Sequence, residues 1–195
     1  MDPRVTELHC IMPIANLPSV VAHGILSYER AAMLPHRSVA LPQVQDRRDQ
    51  RQVPQGLRLH QYANLYFHAR NPMLYTRLNE TSDLCVLRVA TEVLEIAGVV
   101  ITDQNAASDW VRFYAPAQWR SLDFDAIYAM DWRHPDQITY WRRKARKCAE
   151  VLVPHAVEPR FIRGAYAVDE AVAARVAQVA VGLPCTVEPE LFFRQ

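Results

Sequence analysis

The run Cys148-Ala149-Glu150-Val151-Leu152-Val153-Pro154 places one glutamate at the head of an otherwise apolar stretch, directly behind five cations in the six positions 142–147. A strand over residues 149–153 sets Ala149, Val151 and Val153 on one face, with Glu150 and Leu152 on the other. A carboxylate on a mostly buried strand costs free energy unless it is compensated, so the fold must bring a partner to Glu150. An ion pair with a neighbouring arginine is the plain explanation.

A chain of 195 residues, half of it hydrophobic, is long enough to bury a real core, and one domain over residues 1–195 is expected. No apolar run nears the roughly 18 residues of a membrane span, and Met1-Asp2-Pro3-Arg4 does not open like a secretion signal. No membrane partner is expected. Cys10, Cys85, Cys148 and Cys185 are far apart and include no CxxC pair, which suggests neither a zinc site nor a disulfide framework and implies a cytoplasmic protein. Net charge is only +1, so attraction to polyanions must come from local clusters. One is Asp46-Arg47-Arg48-Asp49-Gln50-Arg51 with Arg58 beyond it, and the other is residues 142–147. Either alone reads as a solvated face; two on one small domain fit phosphate binding.

Periodicity predicts strands over Glu7–Pro13, Ala63–His68, Leu84–Val89, Gly98–Thr102, residues 149–153 and Arg160–Ala165. Helices are expected over Leu17–Ala22 with Asn16 as cap and Gly24 as stop, over Tyr28–Met33 behind Ser27, and from Pro72 to Leu78. Further helices are expected over Asp136–Arg146 and Asp169–Val181. From Leu34 to Leu59 periodicity fades and proline recurs, which predicts a long irregular loop around the arginine cluster, a kind of segment that is more often functional than neutral. Short strands interleaved with short helices make a mixed α/β (α+β) domain with a central sheet. The spacing is too irregular for a doubly wound sheet, and neither GxGxxG nor GxxxxGK[ST] occurs.

Several blocks then line up with a known family. His9-Cys10-Ile11-Met12-Pro13-Ile14-Ala15-Asn16-Leu17 resembles the opening of the DarT-type DNA ADP-ribosyltransferases. So do Gln45-Asp46-Arg47-Arg48, Leu59-His60-Gln61-Tyr62, Tyr66–Tyr75 with its Arg70-Asn71-Pro72-Met73-Leu74-Tyr75 core, and Lys147–Val153. The resemblance runs from about Leu8 to Ile162. It implies a PARP-like ADP-ribosyltransferase fold with a split central sheet flanked by short helices, NAD+ as co-substrate without a metal, and single-stranded DNA as acceptor. It further implies the toxin half of a toxin–antitoxin pair, with a macrodomain antitoxin as partner. Many members carry Thr-His where this chain has Met12-Pro13. The family divides between thymine and guanine as target, and the short chain and the Ile-Ala-Asn-Leu wording point to guanine.

Breaking the nicotinamide–ribose bond passes through an oxocarbenium-like centre. A carboxylate beside the ribose stabilises that charge and can take a proton from the incoming base, the role expected of Glu150. Arg47 and Arg48 are expected at the pyrophosphate or behind Glu150, through the guanidinium fork. The motif leaves open which of them points inward. His9, Met12, Asn16, Leu17 and Arg48 are expected around NAD+, and Tyr66, Met73 and Tyr75 as the apolar wall for its nicotinamide ring. For the DNA strand, Trp132, His134, Arg142, Arg143 and Arg146, with Lys144 and Lys147, offer stacking surfaces and phosphate contacts. Residues Ala126–Gln137 occupy the acceptor-selecting position ahead of the catalytic strand. Other acceptors (RNA or protein) and an inert NAD+ or DNA-binding module are the rival readings, and the Met12-Pro13 departure is what favours the inert one.

Overall fold

The computed structural model describes residues 1–194. Strand β1 (Leu8–Pro13) leads through a 3-10 turn into α1 (Leu17–His23), β2 (Ile25–Leu26) and α2 (Tyr28–Ala31). Then come α3 (Pro42–Asp49), β3 (Tyr62–Tyr66), α4 (Pro72–Tyr75), β4 (Leu84–Val89), β5 (Val100–Thr102) and β6 (Phe113–Tyr114). The rest is α5 (Phe124–Tyr128), α6 (Gln137–Arg146), β7 (Glu150–Pro154), β8 (Ala156–Val157), β9 (Ile162–Ala167), α7 (Glu170–Val179) and β10 (Cys185–Val187).

Eight strands form one sheet in the order β10-β9-β4-β1-β3-β7-β5-β6, and β2 and β8 make a separate pair. Only β9 and β10 run parallel in the large sheet; its other neighbours are antiparallel. β1 pairs with β4 along its length, from Leu8↔Val89 to Pro13↔Leu84, but meets β3 only at His9↔Tyr66. The sheet is therefore split between β1 and β3. Alternation along β7 works as its sequence predicts: Val151 and Val153 enter the main core with Leu8, Leu65 and Val86. Leu152 packs on the opposite side with Val53, Leu59, Tyr62 and Ala106.

Local chemistry explains most helix ends. Ser27 accepts from the Arg30 amide, Asp136 from Thr139 and Asp169 from Val172. Asn71, fully buried, accepts from the amides of Met73 and Leu74 ahead of Pro72. Gly24 ends α1 at φ +79°, where a Cβ would stand 2.0 Å from the Val157 carbonyl oxygen, so only glycine fits. Three expectations are corrected. Asn16 precedes α1 without a capping hydrogen bond, because its side chain is used elsewhere. The helix at Pro72 stops at Tyr75, before the 3-10 stretch Leu78–Asp83. The segment expected as irregular from Leu34 to Leu59 contains α3, whose one buried residue is Arg48.

Candidate active site

A cavity of about 480 Å³ opens where the sheet splits. Cys10 and Met12 of β1, Asn64 and Tyr66 of β3, and Met73 of α4 line one side. The segment from Leu34 to Arg48 forms the other, so the stretch without clear periodicity is a wall of the cavity. Asn16 fastens that wall, since its side-chain carbonyl accepts from the Arg37 amide at 2.9 Å and its NH2 donates to the Arg37 carbonyl at 2.8 Å. Two hydrogen bonds from one rigid amide fix both position and direction of the segment they hold.

Glu150 has no exposed surface. One oxygen accepts from the Ala106 amide at 3.1 Å, and Arg48 Nη1 donates to both oxygens at 3.0 and 3.3 Å. The Glu150 amide itself donates to Thr102 Oγ1 at 3.0 Å. Arg48 is 5 % exposed, so this is a buried ion pair with further hydrogen-bond support, the arrangement in which such a pair offsets its desolvation. Arg48, which holds the carboxylate, and Tyr66, its cross-strand partner, both line the cavity. Glu150 sits directly behind them. Burial, then the Glu150 charge, pushes the Tyr66 phenol well above its ordinary value, so it stays neutral.

The two arginines are thereby separated. Arg48 points inward to Glu150, whereas Arg47 is exposed on the cavity rim with its Nε donating to the Gln43 carbonyl. Other expected residues are placed differently. His9 does not line the cavity; its ring is held by the Phe67 carbonyl and Glu7, and its strand neighbour Cys10 faces the opening instead. Leu17 is a fully buried core residue. Tyr75 lies outside the cavity, half exposed, edge-on to Trp132 and Phe193. Met12, Asn16, Tyr66 and Met73 do line it.

The basic helix is also sorted. Arg142, Arg143 and Lys144 are exposed on α6 beside Trp141 and Ile138, and Lys144 reaches the cavity rim. Trp132, at 7 % exposure, is buried against Tyr75 and Phe193 and offers no face to a base. His134 Nδ1 accepts from the Asp136 amide. Arg146 pairs with Asp123. Lys147 is almost wholly buried. Sequence reasoning missed Cys10, Asn64 and Asn105 in the cavity wall, and had given Lys144 to the DNA strand alone. Asn64 was readable from its shared face with Tyr66; Asn105 and the Ala106 amide carry no local signal.

Residues 9–193 match the family model described as "ssDNA thymidine ADP-ribosyltransferase, DarT". Over 99% of the chain, the sequence is 32% identical to a DNA ADP-ribosyl transferase–DNA ADP-ribosyl glycohydrolase fusion protein of Thermosipho africanus, of which it spans 51%. The fold superposes on Thermosipho africanus DarTG in complex with ADP-ribose with a TM-score of 0.85 at 29% identity, covering 96% of this chain and 51% of that one. On Thermus sp. 2.9 DarT in complex with ADP-ribosylated ssDNA the TM-score is 0.83 at 25% identity, with 97% of both chains covered. The chain thus spans about half the fusion protein and nearly all of the Thermus one. With a split mixed sheet, a cavity at the split and a buried Arg48–Glu150 pair behind its wall, this chain belongs to the DarT family of ADP-ribosyltransferases.

Proposed function

We propose that residues 1–195 act as one domain that transfers ADP-ribose from NAD+ to a base of single-stranded DNA. The observation that carries this is a fully buried carboxylate, Glu150, held by Arg48 and the Ala106 amide directly behind the wall of a cavity of ligand-binding size. In the proposed reaction the ribose–nicotinamide bond breaks and its electron pair leaves with nicotinamide. The lone pair of a base nitrogen makes the new bond to ribose, and the proton of that nitrogen goes to Glu150. The same carboxylate stabilises the oxocarbenium-like charge on the way. Arg48 orients Glu150 and, from the cavity wall, stands within the reach of an incoming pyrophosphate. Met73 and Tyr66 supply the apolar surface for the nicotinamide ring. No metal takes part in the proposed reaction. The exposed cations of α6 would hold the phosphates of the acceptor strand.

For the base we propose thymine rather than the guanine expected from the sequence, on the support of the thymidine named in the family's description. A role as a toxin opposed by a macrodomain glycohydrolase is supported by the fusion relative, in which a transferase and a glycohydrolase share one chain. A cytoplasmic site of action fits a DNA substrate; among the described residues no helix is long and apolar enough to cross a membrane.

The test is intact mass spectrometry of single-stranded oligonucleotides, each with one reactive base type, incubated with protein and NAD+. One ADP-ribose added to the thymine oligonucleotide alone is the expected result. An adduct on guanine would overturn the base assignment. Nicotinamide release with no DNA adduct would shift the acceptor to RNA or protein, and no release at all would leave a binding module.

A further inference from the structure

Lys147 is 1 % exposed, and among the described residues no carboxylate pairs with it. Its ammonium donates to the carbonyls of Ile127 at 2.8 Å and Ala129 at 2.7 Å, with His68 Nδ1 at 3.5 Å. Those carbonyls end α5, where unsatisfied acceptors gather. The residue before it, Arg146, pairs with Asp123, which caps the start of α5 by accepting from the Ala126 amide. Two successive residues thus hold the two ends of one short helix.

The chain that leaves α5 at Ala129 runs through residues 130–136 and α6 and returns at Arg146, so Lys147 closes the base of a 129–147 arm. This arm carries Ile138, Trp141, Arg142, Arg143 and Lys144 on its surface. No residue of α6 is buried, so core packing does not fix its direction. It is held instead at Trp132, seated on Tyr75 and Phe193, at the Met130 carbonyl, which accepts from Arg70 Nε, at the Arg146–Asp123 pair, and at the Lys147 staple. Three residues beyond Lys147 lies Glu150.

We propose that Lys147 is a positioning residue for the acceptor: it sets the arm that receives the DNA strand at a fixed distance and angle from Glu150. Resting on the transferase reading above, this makes two reactions separable. Attack by water on the ribose needs the cavity and Glu150, to which the arm adds only Lys144 at the rim, whereas attack by a DNA base needs the whole arm. A buried cation is also an expensive way to brace a helix, and two carbonyls could be met by a neutral donor; the stem from Lys147 reaches both from the residue that begins the turn into β7.

The experiment compares wild type with Lys147→Met, of similar length and without the charge, reading NAD+ hydrolysis without DNA and transfer to a thymine oligonucleotide. Hydrolysis is expected to stay within about twofold, while transfer falls roughly a hundredfold, mostly as a higher oligonucleotide KM. Asp123→Asn keeps the helix cap, loosens only the Arg146 end, and should raise that KM about two- to fivefold with hydrolysis unchanged. It serves as the independent reading should Lys147→Met fail to fold. Parallel loss of hydrolysis and transfer in either folded variant, or full transfer in both, would overturn the assignment. Absence of any adduct with the wild-type protein would instead overturn the transferase reading itself.

Discussion

Removing Glu150 tests stability and chemistry at once, and the structure allows the two to be separated. In a Glu150→Gln variant the amide oxygen can still accept from Ala106, but the guanidinium of Arg48, 5 % exposed, loses its counter-charge. Breaking one side of a buried pair costs about 3–5 kcal/mol. Arg48→Met leaves the fully buried carboxylate with one amide donor and should cost a similar amount. Added independently, the two penalties come to roughly 6–10 kcal/mol, enough to unfold a domain whose whole stability is about 5–15 kcal/mol. The double variant buries no charge at this site, so most of that stability should return, giving a coupling of about 3 kcal/mol. Urea unfolding of the four proteins at one pH measures this cycle, and oligonucleotide adduct formation is followed alongside. The double variant is expected to be stable and inactive. Additive penalties would mean that Arg48 and Glu150 do not interact in solution, and transfer by any protein lacking Glu150 would remove it from the chemistry.

Two further outcomes follow from charge placement. Replacing Arg142, Arg143 and Lys144 with glutamine should flatten the salt dependence of oligonucleotide binding by a log–log slope of about 0.7 for each phosphate no longer neutralised, and an unchanged slope would make the α6 cations a plain solvated face. Burial, and after it the Arg70 charge, lowers the Lys147 ammonium from the ordinary 10.5 to about 8. Between those values the unfolded chain binds more protons than the folded one, so this group makes stability rise with pH there and stay level below pH 8. Urea unfolding from pH 7 to 10.5 should show wild type gaining on Lys147→Met across that window; a constant difference would refute the shift.

What could be read from the sequence was what short-range pattern encodes. β4 begins and ends where its apolar run does, and the alternation around Glu150 correctly separated the faces of β7. α3 escaped because its pattern is not hydrophobic: it buries an arginine rather than an apolar stripe, so no 3.6-residue period appears. His9 was expected to face NAD+, but its neighbour Cys10 lines the cavity instead, since one position along a strand reverses the face. Tyr75 and Trp132 went astray through a long-range partner, since both lean on Phe193 near the far end of the chain. The sorting of 142–147 into exposed and buried cations depended on α5, an element the local pattern did not announce.

The Arg48–Glu150 pair spans 102 positions of sequence, and β7 pairs with β3 on one side and β5 on the other. A chain growing from its N-terminus therefore completes α3, β1 and β3 long before the strand that carries the carboxylate exists. Until β7 takes its place between β3 and β5, Arg48 has no carboxylate to pair with. Sheets built from such distant segments assemble slowly, of the order of milliseconds to seconds, so the pair forms only with the long-range part of the fold. A chain cut short of residue 150 would keep Arg48 of α3 but lack both the buried pair and the strand that joins β3 to β5.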